Sequence, residues 1–376
     1  MPLIRSLLSL FAIWLALPVS PREANPDVHA FYYSWYGNPQ TDGAWRQWDH
    51  AVAARNPDEK HTCKPPEDIG ANFYPEIGLY SSNDPNAVAQ HMQHLKQAGV
   101  GVVSATWWGI GDYTDAALQI LFDEAARAGV RVNFHIEPFG GRDGNGFRKA
   151  LVHLLDRWGN HPALYRNANH GNRPLVYLYD SYKTPASEWA RVLTPQGDLT
   201  IRGTAYDVIA IGLWVKEDET AFLRQGGFDG FYTYFATDRF TYGSTWANWP
   251  ALAEIARENN WIFIPSVGPG YEDRKIRPWN GVNSRAREKG AYYDRAFQAA
   301  IAANPALISI TSFNEWHEGT QIEPARSHPP ALPPEPDGKR QVFYLDNEGL
   351  PPDWYLDRTR HWIGVWEGPD ETPPER

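Results

Sequence analysis

The feature that most constrains this chain is a regular alternation that sets in near residue 29. Apolar, β-branched or aromatic runs of strand length alternate with amphipathic runs of helix length. The strand-like runs lie at 29–33, 100–107, 131–137, 175–179, 208–213, 230–234, 261–267 and 307–313. Near-continuous apolar runs mark parallel strands covered on both faces. Helix punctuation falls between them. Asp84 and Pro85 form an N-cap and first-turn pair, Val88, Met92 and Leu95 share one face, and Gly99 stops the helix. A helix over 115–128 ends at Gly129 in the same way, and further helices are expected at 147–158, 185–193, 220–225, 246–259, 292–303 and 352–362. About eight of each element predict an α/β fold, a (β/α)8 TIM barrel forming one domain over 25–367. An open doubly wound sheet is the alternative, but no Gly-x-Gly-x-x-Gly follows the first strand.

Two stretches interrupt the repeat: residues 37–80, rich in Trp, Pro and Asp, and the Pro-rich 324–338. Loops this long in a barrel serve as walls or lids. The amino terminus reads as a signal peptide over 1–24. Arg5 precedes the apolar stretch 7–17, which Pro18 ends, and this is too short for a membrane span. Cleavage is expected between Pro18 and Ala24, and residues 368–376 read as a flexible tail. No stable membrane span is expected. The chain is expected to be exported, to a periplasm or outside the cell; an uncleaved anchor is the alternative.

The net charge of −10 argues against nucleic acid as a partner. Cys63 is the single cysteine, so no intramolecular disulfide forms and zinc sites built from cysteines are excluded; it is expected to be a buried small hydrophobe. The 17 tryptophans exceed what a core needs and suggest flat stacking platforms for sugar rings.

Catalytic groups of a barrel project from the C-terminal ends of its strands. Those ends carry Ser34-Trp35-Tyr36, Trp107-Trp108, His135-Ile136-Glu137, Tyr179-Asp180-Ser181-Tyr182, Tyr232-Thr233-Tyr234, Gly268-Pro269-Gly270-Tyr271 and Asn314-Glu315-Trp316-His317-Glu318. Aromatic and ionisable side chains at the ends of apolar strands indicate an aromatic-lined polar pocket. Glu315 and Glu318 are the strongest pair. Glycoside hydrolysis needs two carboxyls whose proton affinities differ, and a Trp-rich setting would separate them. An ion-paired loop carboxylate gripping Arg277 is the structural alternative. His317 beside Glu318 lacks a spaced second histidine, so no metal and no cofactor are expected. No Gly-x-Ser-x-Gly elbow supports a serine nucleophile. His50 is read as a partner of a sugar hydroxyl or as a loop-packing residue. Trp107 and Trp108 point to opposite sides of a strand, one to the core and one to the pocket.

The stretches FYYSWYGNPQ (31–40), GNHPALYR (159–166), YDSY (179–182), GFDGFYTYFA (227–236), IPSVGPGYEDRKIRPWN (264–280) and ITSFNEWHEGTQIE (310–323) resemble glycoside hydrolase family 99, the endo-α-1,2-mannosidases. The resemblance implies endo action on internal α-1,2-mannosidic bonds of mannan or N-glycan oligosaccharides, with release of a Glc/Man-α-1,3-Man disaccharide. It also implies retention of configuration through a 1,2-anhydro sugar. Glu315 matches the base that acts on the 2-hydroxyl, and Glu318 matches the acid. Tyr36, His50, Glu137, Tyr234, Arg277 and Asn280 match residues lining the sugar subsites. Trp108 matches bacterial relatives that favour mannose over glucose in the −2 subsite. The protein is expected to act as a monomer on an α-mannoside glycan, and the resemblance to animal Golgi enzymes implies a Golgi-type membrane-anchored lumenal enzyme as the alternative localisation. Two alternatives stay open: a conventional retaining glycosidase with Glu137 as nucleophile, and a non-catalytic sugar-binding barrel.

Overall fold

The computed structural model describes residues 23–53, 60–330 and 344–368. The segment read as a signal peptide lies almost wholly outside these residues, as do the tail beyond Gly368 and most of the Pro-rich loop. The strands are β1 (Asn25–Tyr32), β2 (Val100–Trp107), β3 (Arg131–Ile136), β4 (Arg166–Asn167), β5 (Arg173–Leu178), β6 (Ile209–Leu213), β7 (Gly230–Tyr232), β8 (Ile262–Ile264), β9 (Ser266–Val267) and β10 (Ile308–Ile310). The helices are α1 (Pro39–Asp42), α2 (Pro85–Gln97), α3 (Tyr113–Ala128), α4 (Gly144–Trp158), α5 (Ala186–Leu193), α6 (Thr220–Gly226), α7 (Trp249–Asn259), α8 (Ala291–Ala302) and α9 (Trp354–Glu367).

All strands but β4 pair in parallel in the order β8-β7-β6-β5-β3-β2-β1-β10-β9. Since β9 follows β8 directly along the chain, that order closes on itself. The expected strand over 261–267 is thus real but broken at Pro265. Proline has no N–H to give a ladder. The first half pairs with β7 and the second with β10, where Ser309 N donates to Pro265 O. The break lets one strand serve both neighbours at the barrel seam. β4 is a short antiparallel addition to β5 that the apolar pattern does not reveal. Apart from α1, one helix follows each barrel strand, so the fold is a (β/α)8 barrel.

Helix ends follow the sequence signals. Asp84 caps α2 through Asn86 N, and Asp112 caps α3 through Thr114 N, so that α3 starts two residues earlier than expected. Apolar side chains fill two regions. One lies between strands and helices and includes Val103, Leu121, Phe134, Leu154, Trp189 and Phe297. The other lies inside the barrel around Phe31, Tyr177, Ile211 and Tyr232, and continues into the 37–80 loop through Tyr36, Trp48, Ile69 and Phe73. The described residues of that loop therefore form a packed wall over the barrel mouth. Cys63 is buried in it, as expected.

Candidate active site

The site is built on the turn after β10. The residues from Thr311 to His317 are buried, with Glu315 capping a single 3-10 turn over Trp316–Glu318. His317 N donates to Glu315 Oε1 at 3.1 Å, and Glu315 N donates to Ser312 Oγ at 2.7 Å. Asn314 joins the turn to the end of β1: its Oδ1 accepts from Tyr33 N at 2.7 Å and its Nδ2 donates to Tyr33 O at 3.1 Å. Beneath the turn, Glu323 accepts from Tyr80 OH at 2.8 Å and from Trp316 Nε1 at 2.9 Å.

Tyr36 supports the same turn. Its hydroxyl donates to Asn314 O at 3.0 Å and accepts from Trp316 N at 3.1 Å, while its ring stacks on Trp48 at 4.2 Å. It is fully buried behind the carboxyls. Arg277 and Asn280 meet Glu318 through a residue that sequence reasoning missed, Asp273. The buried Asp273 Oδ2 accepts from Arg277 at 2.9 Å, Asn280 Nδ2 at 2.8 Å and Tyr271 OH at 2.9 Å. Arg277 thereby stands 3.4 Å from Glu318 Oε1. The i,i+4 spacing of Asp273 and Arg277 was the available signal.

His50 is half-buried, and its ring faces His317 with centroids 4.6 Å apart. Its Nδ1 lies 2.6 Å from Ala51 O, and His317 Nδ1 lies 2.6 Å from Gly70 O. Burial drives the proton affinity of His317 down, to a pKa of about 3, so the ring is neutral. Trp107 is core and Trp108 is exposed, as the strand geometry requires; Trp108 stacks on Trp35 at 5.9 Å. Trp35 was not singled out, because only the fold brings the β1 and β2 ends together. Glu137 is buried, with His135 Nδ1 at 3.1 Å, and the Tyr234 hydroxyl bonds that of Tyr33. Tyr33 is held neutral by burial and by the charges of Glu315, Glu137 and Glu318, which all reach it.

Burial and the charge of Glu318 push the Glu315 carboxyl well above the usual carboxylate range. Burial also raises Glu318, but Arg277 pulls it back. The arrangement provides two carboxyls of unequal proton affinity, a cation on one of them, and flat rings around them. A cavity of about 370 Å³ near Tyr271, Gly319 and Arg287 is separate; Glu137, Glu315 and Glu318 do not line it.

A (β/α)8 barrel whose C-terminal mouth holds such a pair among tyrosines and tryptophans is built as a barrel glycosidase is. Residues 23–367 match the profile of Glycosyl hydrolase family 99, and the chain belongs to that family. It is 46% identical over 354 residues to a glycoprotein endo-alpha-1,2-mannosidase of Xenopus laevis, covering 90% of this chain and 76% of that one. It is 43% identical to a glycoprotein endo-alpha-1,2-mannosidase-like protein of Homo sapiens, covering 92% and 77%. Among solved structures, the GH99 endo-alpha-mannosidase of Bacteroides thetaiotaomicron superposes with a TM-score of 0.85 at 45% identity, covering 91% of this chain and 98% of that one. Among the described residues, no helix is long and apolar enough to cross a membrane.

Proposed function

We propose that this glycoside hydrolase is an exported, endo-acting α-1,2-mannosidase that retains configuration through a 1,2-anhydro sugar. Glu315 takes the proton of the 2-hydroxyl as that oxygen attacks C1. The bond from C1 to the leaving oxygen breaks, and Glu318 gives that oxygen its proton. Glu318 then takes a proton from water as the water attacks C1; the C1–O2 bond opens and O2 recovers its proton from Glu315. One observation carries this reading: both carboxyls share a single turn at the end of β10, where the charge of Glu318 acts on Glu315 and keeps their proton affinities apart. His317 N–H favours the ionised form of Glu315 that a base requires. Stacked Trp108 and Trp35 offer a platform for the −2 sugar, and the resemblance favours mannose there.

The site also supports a second reading with the roles exchanged. The ion pair with Arg277 favours an ionised Glu318, and burial favours a protonated Glu315. In the first reading the proton changes place when the sugar 2-hydroxyl enters. Substrates with activated leaving groups separate the two, because departure no longer needs an acid. Against a natural linkage, Glu315→Gln and Glu318→Gln should each lose on the order of 10²–10⁴ in rate. With an activated leaving group Glu318→Gln should recover and Glu315→Gln should not; the opposite pattern assigns the acid to Glu315. A conventional nucleophile at Glu137 predicts that Glu137→Gln loses about 10⁴ or more on both substrates. Anomeric NMR on matched Glcα1,3-Manα1,2-Man and Manα1,3-Manα1,2-Man tests the bond cleaved, the retention and the −2 preference. Inversion or release of single sugars would reject the proposal.

A further inference from the structure

We propose that the hairpin beside His50 carries a binding site for a divalent transition metal, with zinc the best fit, formed by His61, Cys63 and Asp68. One imidazole nitrogen, the thiol sulfur and one carboxylate oxygen all lie within 4.8 Å of one another. The backbone explains why they converge. Val52 N donates to His61 O at 2.8 Å, Ala51 and Thr62 form an antiparallel bridge, and Cys63 N donates to His50 O at 3.2 Å. Residues 61–63 are therefore extended, and side chains two apart on an extended segment share a face. His61 and Cys63 share it, and the turn closed by Asp68 N on Lys64 O at 3.2 Å brings the carboxylate to it.

Thiolate, imidazole and carboxylate are the donors zinc takes, at about 2.3 Å for sulfur and 2.0–2.2 Å for nitrogen and oxygen, so one cysteine suffices where a histidine and an aspartate complete the set, although the cysteine count alone excludes a site built from cysteines. Tetrahedral placement needs donors roughly 3.3–3.8 Å apart, so closure calls for a contraction of about an ångström. Cys63 is buried, whereas His61 and Asp68 reach solvent, which leaves a side open for water as fourth ligand. On binding, the Cys63 thiol releases its proton to solvent. Asp68 Oδ1 also pairs with the buried ammonium of Lys275, leaving its second oxygen for the ion. The same hairpin holds His50, and Ala53 next to it bonds the Arg277 loop: Ala53 N donates to Ile276 O at 2.7 Å and Trp279 Nε1 donates to Ala53 O at 2.8 Å. A bound ion would brace this part of the mouth from outside the carboxyl pair.

The test uses the full chain, stripped by a chelator and titrated with Co²⁺ alone, followed by absorption. The expected result is one Co²⁺ per chain with a near-ultraviolet thiolate-to-cobalt charge-transfer band, displaced by Zn²⁺. Because Cys63 is the chain's single cysteine, that band identifies its ligand without any variant. Cys63→Ser should abolish the band. His61→Ala should weaken Zn²⁺ binding by more than the roughly 10–100-fold that loss of an outer-shell partner costs. Zn²⁺ should raise the melting temperature of the wild type and not of Cys63→Ser. Absence of the band in the wild type at saturating Co²⁺, or Zn²⁺ binding that survives both substitutions, overturns the proposal.

Discussion

At Glu315, burial and the charge of Glu318 act in the same direction, and the consequence reaches stability as well as chemistry. A carboxyl with raised proton affinity in the folded state contributes stability that is complete below its ordinary value near 4.5 and is lost as pH rises through the folded value. At neutral pH the charged form is therefore a load on the fold, and each tenfold gain in proton affinity is worth about 1.4 kcal/mol. Glu315→Gln keeps an acceptor for His317 N–H and removes the load. Its melting temperature should exceed that of the wild type at pH 7, and the difference should shrink toward pH 4, even though activity collapses. Calorimetry at the two pH values checks this; a variant less stable at pH 7 would show that the carboxylate is better solvated than its burial implies. Both catalytic candidates were legible in the sequence, because two carboxyls closely follow an apolar strand. Asp273 was legible only as an i,i+4 partner of Arg277; that it gathers Tyr271, Arg277 and Asn280 on one oxygen is convergence, which a sequence does not display.

Among the elements, the first turn of α3 has a task beyond covering the barrel. Asp115 accepts from Trp107 Nε1 at 2.9 Å and from Gly111 N at 3.1 Å, with His153 Nε2 at 2.9 Å from its carboxylate. Thr114 Oγ1 accepts from Trp108 N at 3.1 Å. The helix thus fixes the short loop that presents Trp108 to solvent beside Trp35. Asp115→Ala would strand two buried or partly buried donors at roughly 1–3 kcal/mol each. We expect a measurable drop in stability by denaturant titration, and a rise in KM larger than the fall in kcat, because the platform shifts while the carboxyl turn stays. A fall in kcat alone would contradict this division of labour. Helices and strands were mostly legible, since caps and apolar runs are local signals. The break at Pro265 has a local cause, but only the pairing of its two halves with different neighbours gives it meaning.

For the whole molecule, two buried histidines contribute to the response to acid. His29, inside the barrel, lies 2.7 Å from Tyr177 OH through Nδ1, and burial lowers its pKa to about 3. His317 is lowered to about 3 in the same way. In an unfolded chain both titrate near 6.5. The folded state binds fewer protons than the unfolded one between those values, so this stability is complete above about 6.5 and is lost as pH falls toward 3. Glu315 and Glu318 act in the opposite sense as pH falls, so the histidine contribution is read as a difference between variants. Midpoints of urea unfolding followed from pH 7 to pH 4 should show His29→Gln losing less stability on that slope than the wild type does. An unchanged slope would place the acid sensitivity elsewhere.

The sequence by itself determined the strand and helix pattern, the closed barrel that eight such units imply, and the turn that carries Glu315 and Glu318. These follow from local rules: apolar runs, caps, and chemistry placed at strand ends. The tertiary structure alone decided which distant groups serve that turn. Asn314 bonds the backbone of Tyr33, 281 residues away, and Asp273 seats Arg277 beside Glu318. Tyr36 serves from behind the turn, and Trp35 pairs with Trp108 across two strand ends. The reason is physical. A carboxyl's proton affinity and a ring's stacking partner depend on through-space neighbours within a few ångströms, and chain order records those only where the neighbours are also close in sequence.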